Sequence, residues 1–344
     1  MAFYPLHTEH EALALRILED IVSRYGGGPG AEQRYRDDVG GAPVTSRGQV
    51  SDYMEKYLDN ANLQSRCKVV FREGAAGSGM TWEGRSPTEN YVHVSCSPIR
   101  LRTKGLKGAC HHEIGTHMVR YCNNHLQSWH CNGSMYEKRH KMGMSAIYSA
   151  ELEATEEGLA VLNGFFGMTG SSSSNSSSNG INSSGNGDGL SSNDSSSSGN
   201  GDGLVSSQQP VQSLYLCALH YYTAIQAHRM DFVDLYRHLE RFVSCPVRRW
   251  NQCVRTRKGV KDQGRFGAFR RDQAYFVGAV DLLRSRRTID FRELHCAKIS
   301  LRDYRGLRGQ IRMNGCIIPP FLHDMQKYGE HLDSVAEQNF VDED

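Results

Sequence analysis

Between residues 8 and 25, Leu15, Leu18, Ile21, Val22 and Tyr25 recur at three- and four-residue spacing, which predicts a helix with one apolar face. Thr8 and Glu11 ahead of it have the form of a capping box, and "GGGPG" stops the run. Ser46 with Gln49 opens a second predicted helix through Tyr53, Tyr57 and Leu58. "CKVVFRE" (67–73) and "YVHVSC" (91–96) are rich in β-branched and aromatic residues and predict strands. "GAAGSG" and "EGRSP" between them predict turns. Pro98 and Gly105 precede a helix expected to begin near Lys107. Further helical patterns cover residues 211–230, 231–243 and 272–286, and the acidic tail from Glu330 is expected to fray.

The pattern fails over residues 170–208, which are almost wholly Ser, Asn and Gly. Such a tract cannot bury a core and reads as a disordered insertion. Helical patterns flank it, so the expectation is one domain over residues 1–344, not two domains with a linker. "GNGDGL" occurs twice in the tract but lacks the alternating acidic positions of a calcium loop.

A chain of 344 residues has ample room for a core. It has no run of about 18 apolar residues to span a membrane, and its first residues do not read as a secretory signal. Ten scattered cysteines without a Cys-x-x-Cys pair read as reduced thiols of a cytoplasmic protein, against a disulfide framework or a cysteine-type zinc module. The net charge of +2 hides an imbalance. From Pro246 to Gly315 there are 18 Lys and Arg against 6 Asp and Glu, a surplus of 12, which leaves the rest at −10. That zone invites an acidic partner, and no nucleic-acid motif accompanies it.

The candidate chemistry lies in "GACHHEIGTHMVRYCNN" (108–124). Neutral imidazole and carboxylate suit zinc, and a catalytic site needs three protein ligands and one open position. At about 100° per residue, helical positions four apart diverge by about 40° and positions five apart by about 140°. His112 and His117 are five apart, so they meet one ion only if the turn between them is widened. A π-type bulge around residues 114–116, eased by Gly115, would do this. Glu113 and His117, four apart, are an alternative pair, and His111 is a spare imidazole. Of Glu151, Glu153, Glu156 and Glu157 in "AELEATEEGLAVLNGFF", the last two lead into an apolar run, so at least one should point inward and could supply a third ligand.

"HEIGTH" and "EEGLA", with "CVRTRKG", "FRRDQAYFVGAV" and "RTIDF" downstream, resemble the microtubule-associated tyrosine carboxypeptidases over roughly residues 10–335. The resemblance implies an α+β fold, mainly helical and gluzincin-like, with a small sheet packed on the zinc helix. It implies one zinc ion per chain held by His112, His117 and Glu157, with Glu113 as the catalytic base. The activity implied is removal of the C-terminal tyrosine of α-tubulin by a cytoplasmic, microtubule-associated enzyme. The family's basic loop falls on Arg255, Arg257 and Lys258. Arg255 and Arg271 are the candidates for the substrate's terminal carboxylate, and Tyr275 or a basic-loop arginine for the oxyanion. The strand "YVHVSC" could pair with an extended peptide. Two other readings remain open: a related metallopeptidase acting on another acidic C-terminus, and a non-catalytic microtubule-binding module.

Overall fold

The computed structural model describes residues 4–27, 30–73, 79–97, 99, 101–130, 142–145, 149–166 and 211–343. The Ser/Asn/Gly tract lies outside them. The described chain is mainly helical with one three-stranded sheet, an α+β arrangement.

Three helices come first: α1 (Glu11–Arg24), α2 (Ala31–Gly40) and α3 (Arg47–Asn60). The helix α1 forms as the spacing predicts, but its buried face is Leu13, Ala14, Ile17, Leu18 and Ile21. Of the predicted stripe only Leu18 and Ile21 belong to it, and Leu15, Val22 and Tyr25 are half-buried. Its capping box does not form. Glu11 turns instead to Arg229 and Gln226, and the residue at the cap, His10, accepts no capping bond. The cap of α3 does form, with the Ser46 hydroxyl accepting from the Gln49 amide at 3.2 Å.

The sheet comprises β1 (Cys67–Glu73), β2 (Met80–Ser86) and β3 (Glu89–Ser97), in the order β1-β3-β2. β1 pairs in parallel with β3, and β2 pairs antiparallel to it. Two sequence expectations are corrected here. β2 lies where turns were predicted, because "MTWEGRS" carries few of the apolar residues that mark a strand. β3, which contains "YVHVSC", is flanked on both sides, so its backbone groups are not free to take up an added strand. The edge strands are β1 and β2, and of these β2 borders the cavity described below.

From β3 the chain enters one long helical rod: α4 (Thr103–Cys110), a π-helical segment (His111–Met118) and α5 (Val119–Asn124). The rod begins four residues earlier than expected. Ile114, Met118 and Val119 on it pack with Val92 and Val94 of the sheet and Val50 and Met54 of α3. The larger core lies on its other side and gathers α1, α6 (Ala150–Phe165), α7 (Tyr215–Gln226) and α10 (Gln273–Ser285). Between α7 and α10 come α8 (Phe232–His238) and α9 (Pro246–Thr256). The chain ends through α11 (Phe291–His295), α12 (Leu301–Leu307) and α13 (Met325–Gln338). The tail is therefore no frayed end: Tyr328, Leu332, Val335 and Ala336 are buried along α13.

α6 and α10 cross almost backbone to backbone. A Cβ on Gly278 would stand 1.7 Å from the Ala154 carbonyl oxygen, and one on Gly158 2.3 Å from the Gly278 carbonyl carbon. This approach sets the carboxylates of α6 against the π-helical segment.

Candidate active site

The π-helical turn holds one residue more than an α-turn, so positions five apart align as positions four apart do elsewhere. His112 and His117 consequently face the same way, with ring centroids 4.9 Å apart and planes at 81°. Gly115 sits in the middle of the widened turn. Its need is space: a Cβ there would lie 2.6 Å from the Phe321 ring and 2.7 Å from the Tyr57 hydroxyl. Behind the turn, the Thr116 hydroxyl donates to the His111 carbonyl at 2.8 Å. The Asn163 amide donates to Thr116 at 2.8 Å, and the Tyr328 hydroxyl donates to Asn163 at 2.6 Å. These bonds tie the turn to α6 and α13.

Glu157 on α6 meets both imidazoles. Its Oε2 is 3.6 Å from Nε2 of His112 and 3.6 Å from Nε2 of His117. That atom is buried and has no hydrogen-bond partner. Two ligands about 2.0–2.2 Å from a tetrahedral zinc ion stand about 3.4 Å apart. The spacing is too long for good hydrogen bonds and right for a shared cation. The three donor atoms lie within 4.8 Å of one another, and among the described residues no other group of His, Cys, Asp and Glu converges this way. The residues present fit a metal of zinc's preferences.

The alternatives left open by spacing separate cleanly. His111 is a core residue, hydrogen-bonded to Tyr57 at 3.0 Å and enclosed by Phe321 and Phe166, and burial pushes its pKa down to about 3. Glu113 does not pair with His117. Its Oε2 accepts from the Trp82 amide of β2 at 3.0 Å. Glu153 pairs with Arg271, and Glu151 is exposed.

Glu156 lies behind His117. Its Oε2 accepts from His117 Nδ1 at 3.2 Å, so the other nitrogen, Nε2, is the one turned to Glu157. Lys298 reaches the same oxygen at 3.2 Å, and Arg120 the other at 2.6 Å. Arg120 is fully buried and also donates to the carbonyls of Ala297 and Ile299 at 2.8–3.1 Å, which fixes the loop carrying Lys298. Burial would raise the Glu156 pKa, but Arg120 first and Lys298 next hold it well below the usual carboxylate range. Burial likewise opposes ionisation of Glu157, and the His117 charge outweighs it. Burial disfavours protonated His117, yet Glu157 and Glu156 push its pKa up to about 10. Arg120 and Lys298 are the residues that sequence reasoning missed. The spacing of Arg120 from His117 was a possible signal, whereas nothing local marks Lys298.

The site opens into a cavity of about 980 Å³ bordered by β2, the π-helical segment, α6, α7 and α10. Arg255, Arg271 and Tyr275 line it. Arg255 pairs with Asp272 at 2.5 Å and Arg271 with Glu153 at 2.5 Å, and both guanidinium groups remain about half exposed. Burial, then Glu157, raises the Tyr275 pKa, which keeps its hydroxyl protonated. The structure does not bring the other two basic-loop residues to the cavity. Arg257 is only 2% exposed and donates to the carbonyls of Met230, Ala227, Gln263 and Arg265, which corrects its expected substrate contact. Lys258 lies exposed on the outer surface beside Phe269 and does not line the cavity.

No protein-family model matches the chain. Individual proteins do. Microtubule-associated tyrosine carboxypeptidase 1 of Homo sapiens is 28% identical over 332 residues, covering 96% of this chain and 58% of the relative. MATCAP2 of Mus musculus is 27% identical over 328 residues, covering 95% and 52%. MATCAP2 of Homo sapiens is 31% identical over 239 residues, covering 69% and 36%. The chain thus spans about half the length of the curated relatives that it matches end to end.

Proposed function

The chain belongs to the family of the microtubule-associated tyrosine carboxypeptidases, and on that premise we propose that it is a zinc carboxypeptidase that releases the C-terminal tyrosine of α-tubulin. The observation that carries the metal-dependent reading is the buried, unpartnered Glu157 oxygen at 3.6 Å from two imidazole nitrogens. His112, His117 and Glu157 are the ligands. A zinc ion, when bound, lowers the pKa of water and polarises a carbonyl. The protein's own residues do the rest. Glu113 takes a proton from the attacking water and delivers it to the leaving amine, and the Trp82 amide holds its carboxylate in place. Glu156 keeps His117 in the tautomer that presents Nε2.

Arg255 and Arg271 bind the substrate's terminal carboxylate, which competes with Asp272 and Glu153 for the two guanidinium groups. The Tyr275 hydroxyl donates to the developing oxyanion. An extended tail lies beside β2, the sheet edge that borders the cavity. The tail's glutamates are drawn to the basic zone of residues 246–315. All of this belongs to one catalytic domain in a cytoplasmic, microtubule-associated protein.

The test is metal analysis of the purified protein joined to mass spectrometry on an acidic peptide ending Glu-Glu-Tyr. Wild type should carry about one zinc per chain and release tyrosine only. Glu113→Gln should keep the metal and lose activity by about 10²–10⁴-fold. Release of a different residue would point to another acidic C-terminus, and a wild type that releases nothing would sink the enzyme reading.

A further inference from the structure

Helix α9 is turned inside out. Its inward residues include Arg249, Gln252 and Thr256, and only Cys253 among the buried ones is apolar. Its outward residues Val247, Trp250 and Val254 are 68%, 53% and 48% exposed. They stand at i, i+3 and i+7, one stripe about 10 Å long at the helical rise. An amphipathic helix ordinarily turns such a stripe to the core. The stripe is held firmly. Trp250 packs edge-on against Phe232 of α8 at 4.8 Å, and Arg249 lies over the Tyr236 ring at 4.4 Å while pairing with Glu240 at 2.9 Å. Val233 and Phe266 add exposed apolar area on the neighbouring α8 and the loop after α9. The buried Arg257 fixes that loop through the carbonyls of Gln263 and Arg265.

Two features say what covers the stripe. The surrounding segment is basic: residues 229–266 hold ten Lys and Arg against four Asp and Glu, and Arg237, Lys258, Lys261 and Arg265 are exposed around it. The same helix also borders the site, because Arg255, the residue after Val254, lines the cavity. An apolar centre with a basic rim, adjoining a cavity that receives a chain end, fits the folded body of an acidic protein.

We propose that the outer face of α9 is the docking surface for the acidic, folded body of the substrate protein, whose C-terminal tail enters the neighbouring cavity. This rests on the carboxypeptidase reading above and adds a second contact outside the cavity. Short tail peptides use the cavity alone. The assembled protein uses both.

The experiment compares wild type with Trp250→Ser/Val254→Ser on the Glu-Glu-Tyr peptide and on microtubules, reading turnover and co-sedimentation. The variant should turn over the peptide within about twofold of wild type, and its microtubule affinity and turnover should fall at least about tenfold, as for loss of a central aromatic anchor. Equal performance on microtubules would overturn the proposal. So would a wild-type dimer in analytical ultracentrifugation that the double variant dissolves, because a second copy would then be the occupant. Should the double variant fold poorly, Val247→Asp, at the most exposed position, gives the same comparison. If wild type cleaves neither substrate yet sediments with microtubules in a Trp250-dependent way, the docking surface stands and the catalytic reading falls.

Discussion

Glu113 and Glu157 both reach the cavity, and their partners separate their roles. Glu113 is held by one backbone amide, with an oxygen left for a proton. Glu157 turns a buried oxygen to two imidazole nitrogens and to nothing else. In metal-free protein His117 fills that gap as a cation. Its pKa is pushed from the ordinary 6.5 up to about 10, so its contribution to stability is fully present below about 6.5 and is lost as pH rises through about 10. The Glu157 pKa is depressed, so its contribution is present above about 4.5 and is lost on acidification. Both are intact at pH 5–6. A metal ion must displace the His117 proton. Titrating zinc into metal-free protein at pH 7 should therefore release about one proton per ion, read by calorimetry in two buffers of different ionisation enthalpy. Heats independent of buffer would contradict His117 as a ligand. At this scale the sequence was informative about His112, Glu113 and His117, which share one short segment. It was silent on Lys298 and offered only a spacing for Arg120, because their contacts with Glu156 join residues far apart in the chain. It could not tell that Arg257 points inward, since charge does not reveal direction.

The elements that position these residues depend on two glycines, for reasons of space. Gly115 lets the widened turn lie against Phe321 and Tyr57, and Gly278 lets α10 touch α6. Neither has a left-handed backbone, so a Cβ costs stability by collision alone. Gly278→Ala must push two backbones apart and should destabilise by about 3 kcal/mol or more, the upper range for overpacking. Gly306→Ala in α12 is the control. Nothing lies within 4 Å of its Cβ direction, and it should stabilise by about 0.5–1 kcal/mol through helix propensity. Urea denaturation of the two variants decides: equal midpoints would mean that α6 and α10 have slack to move. The π-helical segment was legible because the five-residue spacing makes sense only with a widened turn. β2 and α13 were not. "MTWEGRS" has too few apolar positions to show alternation, and in α13 the polar residues obscure the buried Tyr328, Leu332 and Val335. The box at Thr8 failed because Glu11 found Arg229, a partner that no local rule can foresee.

Across the whole molecule the charge is divided, with the surplus of 12 over residues 246–315 set against −10 elsewhere. Arg255, Arg271 and Lys298 of that zone line the cavity, Arg271 and Lys298 in pairs with Glu153 and Glu156 of α6. The internal pairs are short and partly buried, so added salt screens them weakly. The field that reaches an approaching acidic tail is exposed, and the Debye length falls from about 10 Å at 0.1 M to about 3 Å at 1 M. Salt should therefore act on capture and not on chemistry. For an acidic peptide ending Glu-Glu-Tyr, KM should rise several-fold between about 0.05 and 0.5 M NaCl while kcat stays level. A peptide with neutral residues before its tyrosine should show a flat KM, because only the terminal carboxylate then meets the basic side, at close range. A parallel rise for both peptides would place the salt effect at Arg255 and Arg271 themselves. The division of labour argued here, long-range capture by the basic zone and short-range chemistry by the π-helical turn, would then be wrong.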